Sequence, residues 1–314
     1  MISFGPVPSR RLGRSLGINN IPPKICTYSC GYCQVGRTVK MNVERKEFYK
    51  TEELFKDVRG RVEETRKKNK DIDYLTFVPD GEPTLDINLG KEIDCLKSLN
   101  IKIAVITNAS LLLRDDVKKD LKNADLVSVK IDTVNEKTWK KINRPHPSLK
   151  LSKILEGISK FGQEFNGILY TETMLVKGLN DNMKEIEEIA DFIEKLSAEK
   201  SYISIPIRPP AEKWVKSPSE VSINKAYQIF KEKNIDVELL IGYEGNEFTS
   251  TGDIRQDILS ITSVHPIREE GMEELLRGAN SDWEIIENLK NEKKIVEVKY
   301  KGKRFYMKNL SKIR

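Results

Sequence analysis

Short apolar runs alternate with charged, amphipathic stretches along residues 51–240, and this alternation limits the fold more than any other feature of the chain. The runs 72–78, 101–107, 126–132, 167–176, 202–206 and 236–240 have the length and β-branched content of buried parallel strands. Between and before them, helical periodicity predicts helices over 51–69, 88–99, 114–122, 135–142, 150–163, 182–197 and 219–233. Regular β–α alternation of this kind argues for a parallel sheet with its helices packed outside. An open sheet and a closed barrel satisfy the pattern equally. In both, ligands bind at the C-terminal ends of the strands.

Three of the four cysteines fall within eight residues, as Cys26-Thr-Tyr-Ser-Cys30-Gly-Tyr-Cys33. Three thiolates can hold three irons of a cubic 4Fe–4S cluster and leave the fourth iron without a protein ligand. An open metal position is a mark of catalysis. A zinc ribbon needs four ligands, and the two histidines, His146 and His265, lie more than a hundred residues away. Three close cysteines cannot pair off as disulfides, and Met1-Ile-Ser-Phe-Gly-Pro lacks the pattern of a secretory signal. No apolar run approaches the ~18–20 residues of a membrane span, so a cytoplasmic protein with no membrane partner is expected. Cys95, on the 88–99 helix, reads as a small buried residue rather than a ligand.

The strand ends carry polar groups suited to a cofactor. Asp80-Gly81-Glu82-Pro83 closes the 72–78 strand. Glycine permits close backbone approach, proline fixes the turn, and the carboxylate can accept hydrogen bonds from an ammonium. Thr107-Asn108 closes the next strand, and Ser128, Lys130 and Asp132 share one face of the one after. Polar side chains on an inward face are costly unless they meet a ligand or each other, and a Lys130–Asp132 ion pair is one solution. Further on, Glu172 and Met174 share a face ahead of Val176-Lys-Gly-Leu-Asn-Asp181, and Arg208 and Glu212 follow the 202–206 strand.

The C-x3-C-x2-C loop with Tyr32 before its last cysteine, the Gly-Glu-Pro turn, Thr107-Asn108 and the Val176–Asp181 segment together resemble the radical S-adenosylmethionine (radical SAM) family. The resemblance covers roughly residues 14–240 and implies a partial (β/α)6 barrel with the cysteine loop after its first strand. It implies that Cys26, Cys30 and Cys33 bind a 4Fe–4S cluster and that S-adenosylmethionine completes the open iron. Electron transfer to that cofactor then gives a 5′-deoxyadenosyl radical. Cofactor contacts are implied at Tyr32, Gly81, Glu82, Pro83, Asn108, Ser128 and Asp132, with Glu82 at the methionine ammonium. The family's turn is Gly-Gly-Glu-Pro, and Asp80 here replaces the first glycine. A reducing donor such as ferredoxin or flavodoxin is implied as well. The chain is similar to proteins grouped near wyosine-type tRNA-modifying synthases, which carry a second, N-terminal cysteine cluster; only Cys95 is left over here.

The alternation stops after about residue 262. Ser263-Val-His265-Pro-Ile precedes a helix near 267–277, Asn280-Ser281-Asp282 caps another through Leu289, and strands 294–300 and 304–308 flank Lys-Gly-Lys. Helix, helix and hairpin is the order of a winged helix-turn-helix. The expected division is a barrel domain, 1–262, and a winged-helix-like domain, 263–314. Residues 1–46 carry a net +7 and residues 288–314 a net +8, against +6 for the whole chain. Both segments, the first with Arg10, Arg11 and Arg14, suit phosphates or carboxylates, so an RNA or other anionic substrate is expected. The competing reading is an iron–sulfur, redox-sensing regulator that binds DNA with its wing. It leaves the Asp80–Pro83 turn and the β–α alternation unexplained.

Overall fold

A computed structural model describes residues 2–242, 253–264 and 266–309 of the chain; His265 lies outside them. The N-terminal segment forms an antiparallel hairpin of β1 (Ser3–Ser9) and β2 (Gly13–Ile18). Gly13 makes the turn at φ +62°. The Phe4 ring lies on Gly17, where a Cβ would come within 2.0 Å of it. A short parallel pair, β3 (Ile25–Cys26) and β4 (Lys40–Met41), brackets the end of the cysteine loop.

The alternation then unfolds as α1 (Thr51–Lys67), β5 (Tyr74–Phe77), α2 (Leu89–Leu96), β6 (Lys102–Thr107), α3 (Asp115–Leu121) and β7 (Leu126–Lys130). It continues through α4 (Glu136–Ile142), α5 (Leu151–Glu164), β8 (Ile168–Met174), α6 (Met183–Glu194), β9 (Lys200–Ser204), α7 (Glu220–Glu232) and β10 (Val237–Leu240). The strand order is β1-β2-β5-β6-β7-β8-β9-β10, parallel at every pairing from β2 onward. Strands β2 and β5–β9 make the curled, partial barrel, and β10 extends it.

Two alternating faces give the sheet two cores. Leu75, Phe77, Ile103, Val105, Val127 and Val129 pack outward with helix residues such as Leu54, Ile93, Phe161 and Phe230. Each such fully buried side chain contributes about 1.5–3 kcal/mol. Ala104, Leu126 and Leu12 pack with Tyr74, Ile106, Ile168 and Tyr170 in a separate inner cluster. Asn135, Asn182 and Ser219 cap α4, α6 and α7 by accepting from backbone N–H groups. On α2, Leu89, Ile93 and Leu96 face the core. That period puts Cys95 off the inner face, so it is exposed rather than buried as expected.

The chain ends in α8 (Ile254–Val264), β11 (Ile267–Arg268), α9 (Glu269–Gly278), α10 (Glu284–Asn291), β12 (Ile295–Tyr300) and β13 (Lys303–Lys308). Its three-stranded sheet has the order β11-β13-β12. Helix α8 was not anticipated; its Ile258 and Ile261 share a core with Met272, Leu275, Ile286, Leu289 and Tyr306. This unit rests on the barrel at several points. Val7 of β1 packs against its core, and Arg61 of α1 pairs with buried Asp257 at 3.1 Å. The tip of its hairpin reaches the barrel mouth, where the Tyr300 hydroxyl donates to the Pro206 carbonyl at 2.9 Å.

Candidate cofactor and substrate site

The cysteine loop is held from two sides. The turn after α4 grips its middle: Ser29 N donates to Asn143 O (3.1 Å) and Gly31 N to Ile142 O (2.8 Å). The Tyr28 ring meets Trp139 edge-on, with centroids 5.9 Å apart. From the other side, the turn after β5 pins its start, with Lys24 N donating to Asp80 O (2.7 Å) and Glu82 N to Ile25 O (3.2 Å). A Cβ at Gly81 would lie 1.8 Å from the Ile25 carbonyl oxygen, so only glycine permits this approach.

Cys26, Cys30 and Cys33 carry no disulfide and line one cavity of about 180 Å³ together with Tyr32, Asp80, Glu82, Asn108 and Lys130. Burial pushes the Cys30 thiol up to about 12, helped by the nearby Asp132 carboxylate, and burial also raises Cys26 and Cys33. Such thiols ionise when a metal supplies positive charge. Amide donors already point at two sulfurs: Asn108 Nδ2 lies 3.5 Å from Cys26 Sγ, and Asn143 Nδ2 lies 3.5 Å from Cys30 Sγ. Three thiols lining one cavity, with no fourth cysteine beside them, match in number and chemistry a cluster with one open iron.

Glu82 is 1% exposed and closely bound. Its Oε1 accepts from Thr84 N (3.2 Å), Thr84 Oγ1 (2.6 Å) and Thr107 Oγ1 (2.6 Å), and its Oε2 from Asn108 N (2.7 Å). Burial raises its pKa, and these four donors work against that rise. Asp80, two residues earlier and 5% exposed, is the opposite case. Neither carboxylate oxygen has a partner among the described residues, and burial pushes its pKa up to about 8 despite Lys308 and Lys24 nearby.

The inner face of β7 and β8 carries a charge network that the sequence did not reveal. Lys130 does not pair with Asp132. Its Nζ donates to Glu172 Oε1 at 2.8 Å, Arg11 of the β1–β2 turn bonds the other carboxylate oxygen, and Ser204 Oγ adds a third donor at 2.9 Å. Burial alone would raise the Glu172 carboxyl, but Arg11 and Lys130 hold it well below the usual range. Asp132 anchors the cysteine loop: it accepts from the Tyr32 hydroxyl, from Asn143 Nδ2 (2.7 Å) and from Met174 N (2.9 Å). Lys130 Nζ lies 5.0 Å from the Tyr32 ring centroid. Ser128 is 3% exposed, and its hydroxyl has no partner among the described residues. In the Val176–Asp181 segment, Asn180 ties two strand ends by donating to Asp132 O (2.7 Å) and Met174 O (2.8 Å).

At the barrel mouth, Arg208 and Glu212 part company. Arg208 donates to Gln34 Oε1 at 3.0 Å and, with Arg11, Lys130 and Glu172, lines a second cavity of about 260 Å³ beside Cys33. Glu212 is instead gripped by Arg37 (2.7 Å) and Arg144 (2.7 Å), which tie the far end of the cysteine loop to the α4 turn. Neither arginine was singled out from the sequence. A signal existed in Asn143-Arg144-Pro145-His146-Pro147, whose polar character is unusual after a helix.

Comparison with known proteins identifies the family and the fold. The family model described as Radical SAM superfamily matches residues 20–193. A UPF0026 protein of Methanocaldococcus jannaschii is 51% identical over 312 residues, covering 98% of this chain and 96% of the relative. A radical SAM methyltransferase from Sphaerobacter thermophilus shares the fold, with a TM-score of 0.58 at 17% identity over 72% of this chain and 66% of that one. Streptococcus suis SuiB bound to S-adenosylmethionine matches with a TM-score of 0.53 at 13% identity, over 71% of this chain and 49% of its own. The chain therefore belongs to the radical SAM superfamily, as an enzyme whose cofactors are a 4Fe–4S cluster and S-adenosylmethionine.

Proposed function

We propose that the enzyme carries out a radical modification of an RNA or other anionic substrate, in the cytoplasm, with electrons from a donor such as ferredoxin or flavodoxin. Cys26, Cys30 and Cys33 hold the cluster, which when bound supplies the electron that cleaves S-adenosylmethionine. Glu82, on the Gly81–Pro83 turn, and Asn108 receive the methionine end, because they line the same cavity as the cysteines. Ser128 offers its unpartnered hydroxyl to the ribose side. Tyr32 and Asp132 act by fixing the loop that carries the cysteines.

The observation that carries the substrate class is the second cavity. Arg11, Lys130 and Arg208 line it beside Cys33, against a single carboxylate among the described residues, Glu172. Two of these cations pair with Glu172, and a lining that gathers three cations favours an anion. We further propose that residues 263–314 are a winged-helix-like unit attached to the 1–262 barrel domain, with α8 sharing its core. Its helix, strand, helix, helix and hairpin order supports this, as does the sheet order β11-β13-β12.

The test is release of 5′-deoxyadenosine by the reduced, reconstituted enzyme in the presence of a small-RNA fraction. Stimulation that ribonuclease abolishes supports an RNA substrate. Stimulation that survives ribonuclease moves the assignment to another anion, and no stimulation by RNA or by anionic metabolites contradicts the proposal.

A further inference from the structure

The turn after β5 spends a carboxylate where the fold does not require one. Asp80 is 5% exposed, and neither of its oxygens has a partner among the described residues. Burying a carboxylate without partners is costly, and a structural role would be marked by donors such as those that surround Glu82. The backbone does not demand aspartate here either, since it is the Asp80 carbonyl that receives Lys24 N.

Asp80 borders two cavities. One holds the three cysteines. The other, of about 160 Å³, has Asp80 as its only carboxylate among the described residues, apolar walls that include Phe4, Val78 and Ile106, and two cations, Arg11 and Arg208. The same two arginines line the larger cavity beside Cys33, so both spaces share one cationic wall. Apolar sides, a buried acceptor and guanidinium groups complement a molecule that is anionic in one part and presents N–H donors in another.

We propose that Asp80 is a substrate-recognition residue that accepts hydrogen bonds from an N–H group of the substrate, either the amino-bearing edge of a nucleobase or a protonated amine on an acidic small molecule. This rests on the radical SAM reading only for locating the reaction beside the cysteines. Asp80 accepts while Arg11 and Arg208 meet the anionic portion, and the pair sets which part of the substrate turns toward the cluster.

The experiment is calorimetric titration of the anaerobic holoenzyme, in the presence of S-adenosylmethionine, with two matched ligand pairs. GMP against IMP differ by one exocyclic amine, and L-glutamate against glutarate differ by the ammonium. Each is repeated on Asp80→Asn and on Asp80→Gly, the second being the residue of the family's turn and free of any side chain to misplace. The expected result is a preference of tenfold or more for the amine-bearing member of one pair in the wild type, falling to within about twofold in both variants. The pair that shows it identifies the source of the N–H group. Absence of any preference in the wild type, or a preference that persists in either variant, overturns the proposal. Failure to cleave S-adenosylmethionine would instead overturn the reading of the chemistry, which these titrations do not measure.

Discussion

The two walls that meet at the turn after β5 are built on opposite terms. On the proposed cofactor wall, Glu82 receives four hydrogen bonds and Asp132 three, so these carboxylates are locked by backbone, hydroxyl and side-chain amide donors. On the arginine-lined side, Asp80 receives none among the described residues, and Glu172 is shared between two half-buried cations. Saturated groups hold one geometry, which suits a cofactor that is always the same. Unsatisfied or shared charges keep recognition capacity in reserve, which suits the side where we propose that the substrate is chosen.

The largest effect should come from the cysteines. Replacing Cys26, Cys30 or Cys33 by Ala is expected to abolish a cluster of about four irons and four sulfides per chain, measured after anaerobic reconstitution. Exposed Cys95→Ala should retain it. Loss of iron in the Cys95 variant alone would overturn the ligand assignment.

Stability separates the two carboxylates of the substrate wall next. Glu172→Gln leaves Arg11 and Lys130 facing each other without their shared anion, and should cost about 3–5 kcal/mol in denaturant unfolding. Asp80→Asn removes no partner and should cost less than about 1 kcal/mol. Equal losses for the two would erase the distinction between the walls.

On the cofactor wall, Glu82→Gln keeps the shape while removing the charge that favours an ammonium, and should weaken S-adenosylmethionine binding by about 1–3 kcal/mol with the cluster retained. Unchanged affinity in the folded variant would remove Glu82 from the cofactor's contacts.

The smallest effect is expected at the hairpin. Lys303 pairs with Glu270 at 2.8 Å, Arg304 with Glu269, and Lys301 reaches Ser217, so part of the hairpin's charge is already engaged. Exposed pairs of this kind are worth little and can yield to phosphates. Replacing Lys299, Lys301, Lys303 and Arg304 with Gln should lower the slope of log affinity for RNA against log salt by roughly 0.7–0.9 per lost contact. An unchanged slope would leave the barrel mouth as the anion-binding surface.

Much of this organisation was legible because it is periodic or local. Strand and helix positions follow from residue spacing, and β5, β6, β7, β8, β9 and β10 fall within a few residues of their apolar runs. The cysteine loop and the Gly81–Pro83 turn are contiguous motifs. What escaped the sequence depends on distant partners. Arg11 and Glu172 meet across 161 positions, and nothing local in either strand signals that Lys130 would choose Glu172 over Asp132. Helix α8 was missed because its apolar residues Ile258 and Ile261 find their partners on α9 and α10, beyond the repeating pattern. Cys95 is exposed, against cysteine's general tendency to be buried, because its place on α2 turns it off the face formed by Leu89, Ile93 and Leu96.

The central claim, that the cysteine cavity and the Glu82 turn form one radical SAM centre, is tested most directly by one assay. The anaerobically reconstituted, dithionite-reduced protein is incubated with S-adenosylmethionine, and 5′-deoxyadenosine and methionine are quantified. The account expects both products in equal amounts from the wild type and neither from the Cys30→Ala variant. A wild-type protein that holds a full complement of iron yet forms no 5′-deoxyadenosine would contradict it and would favour the redox-sensing reading.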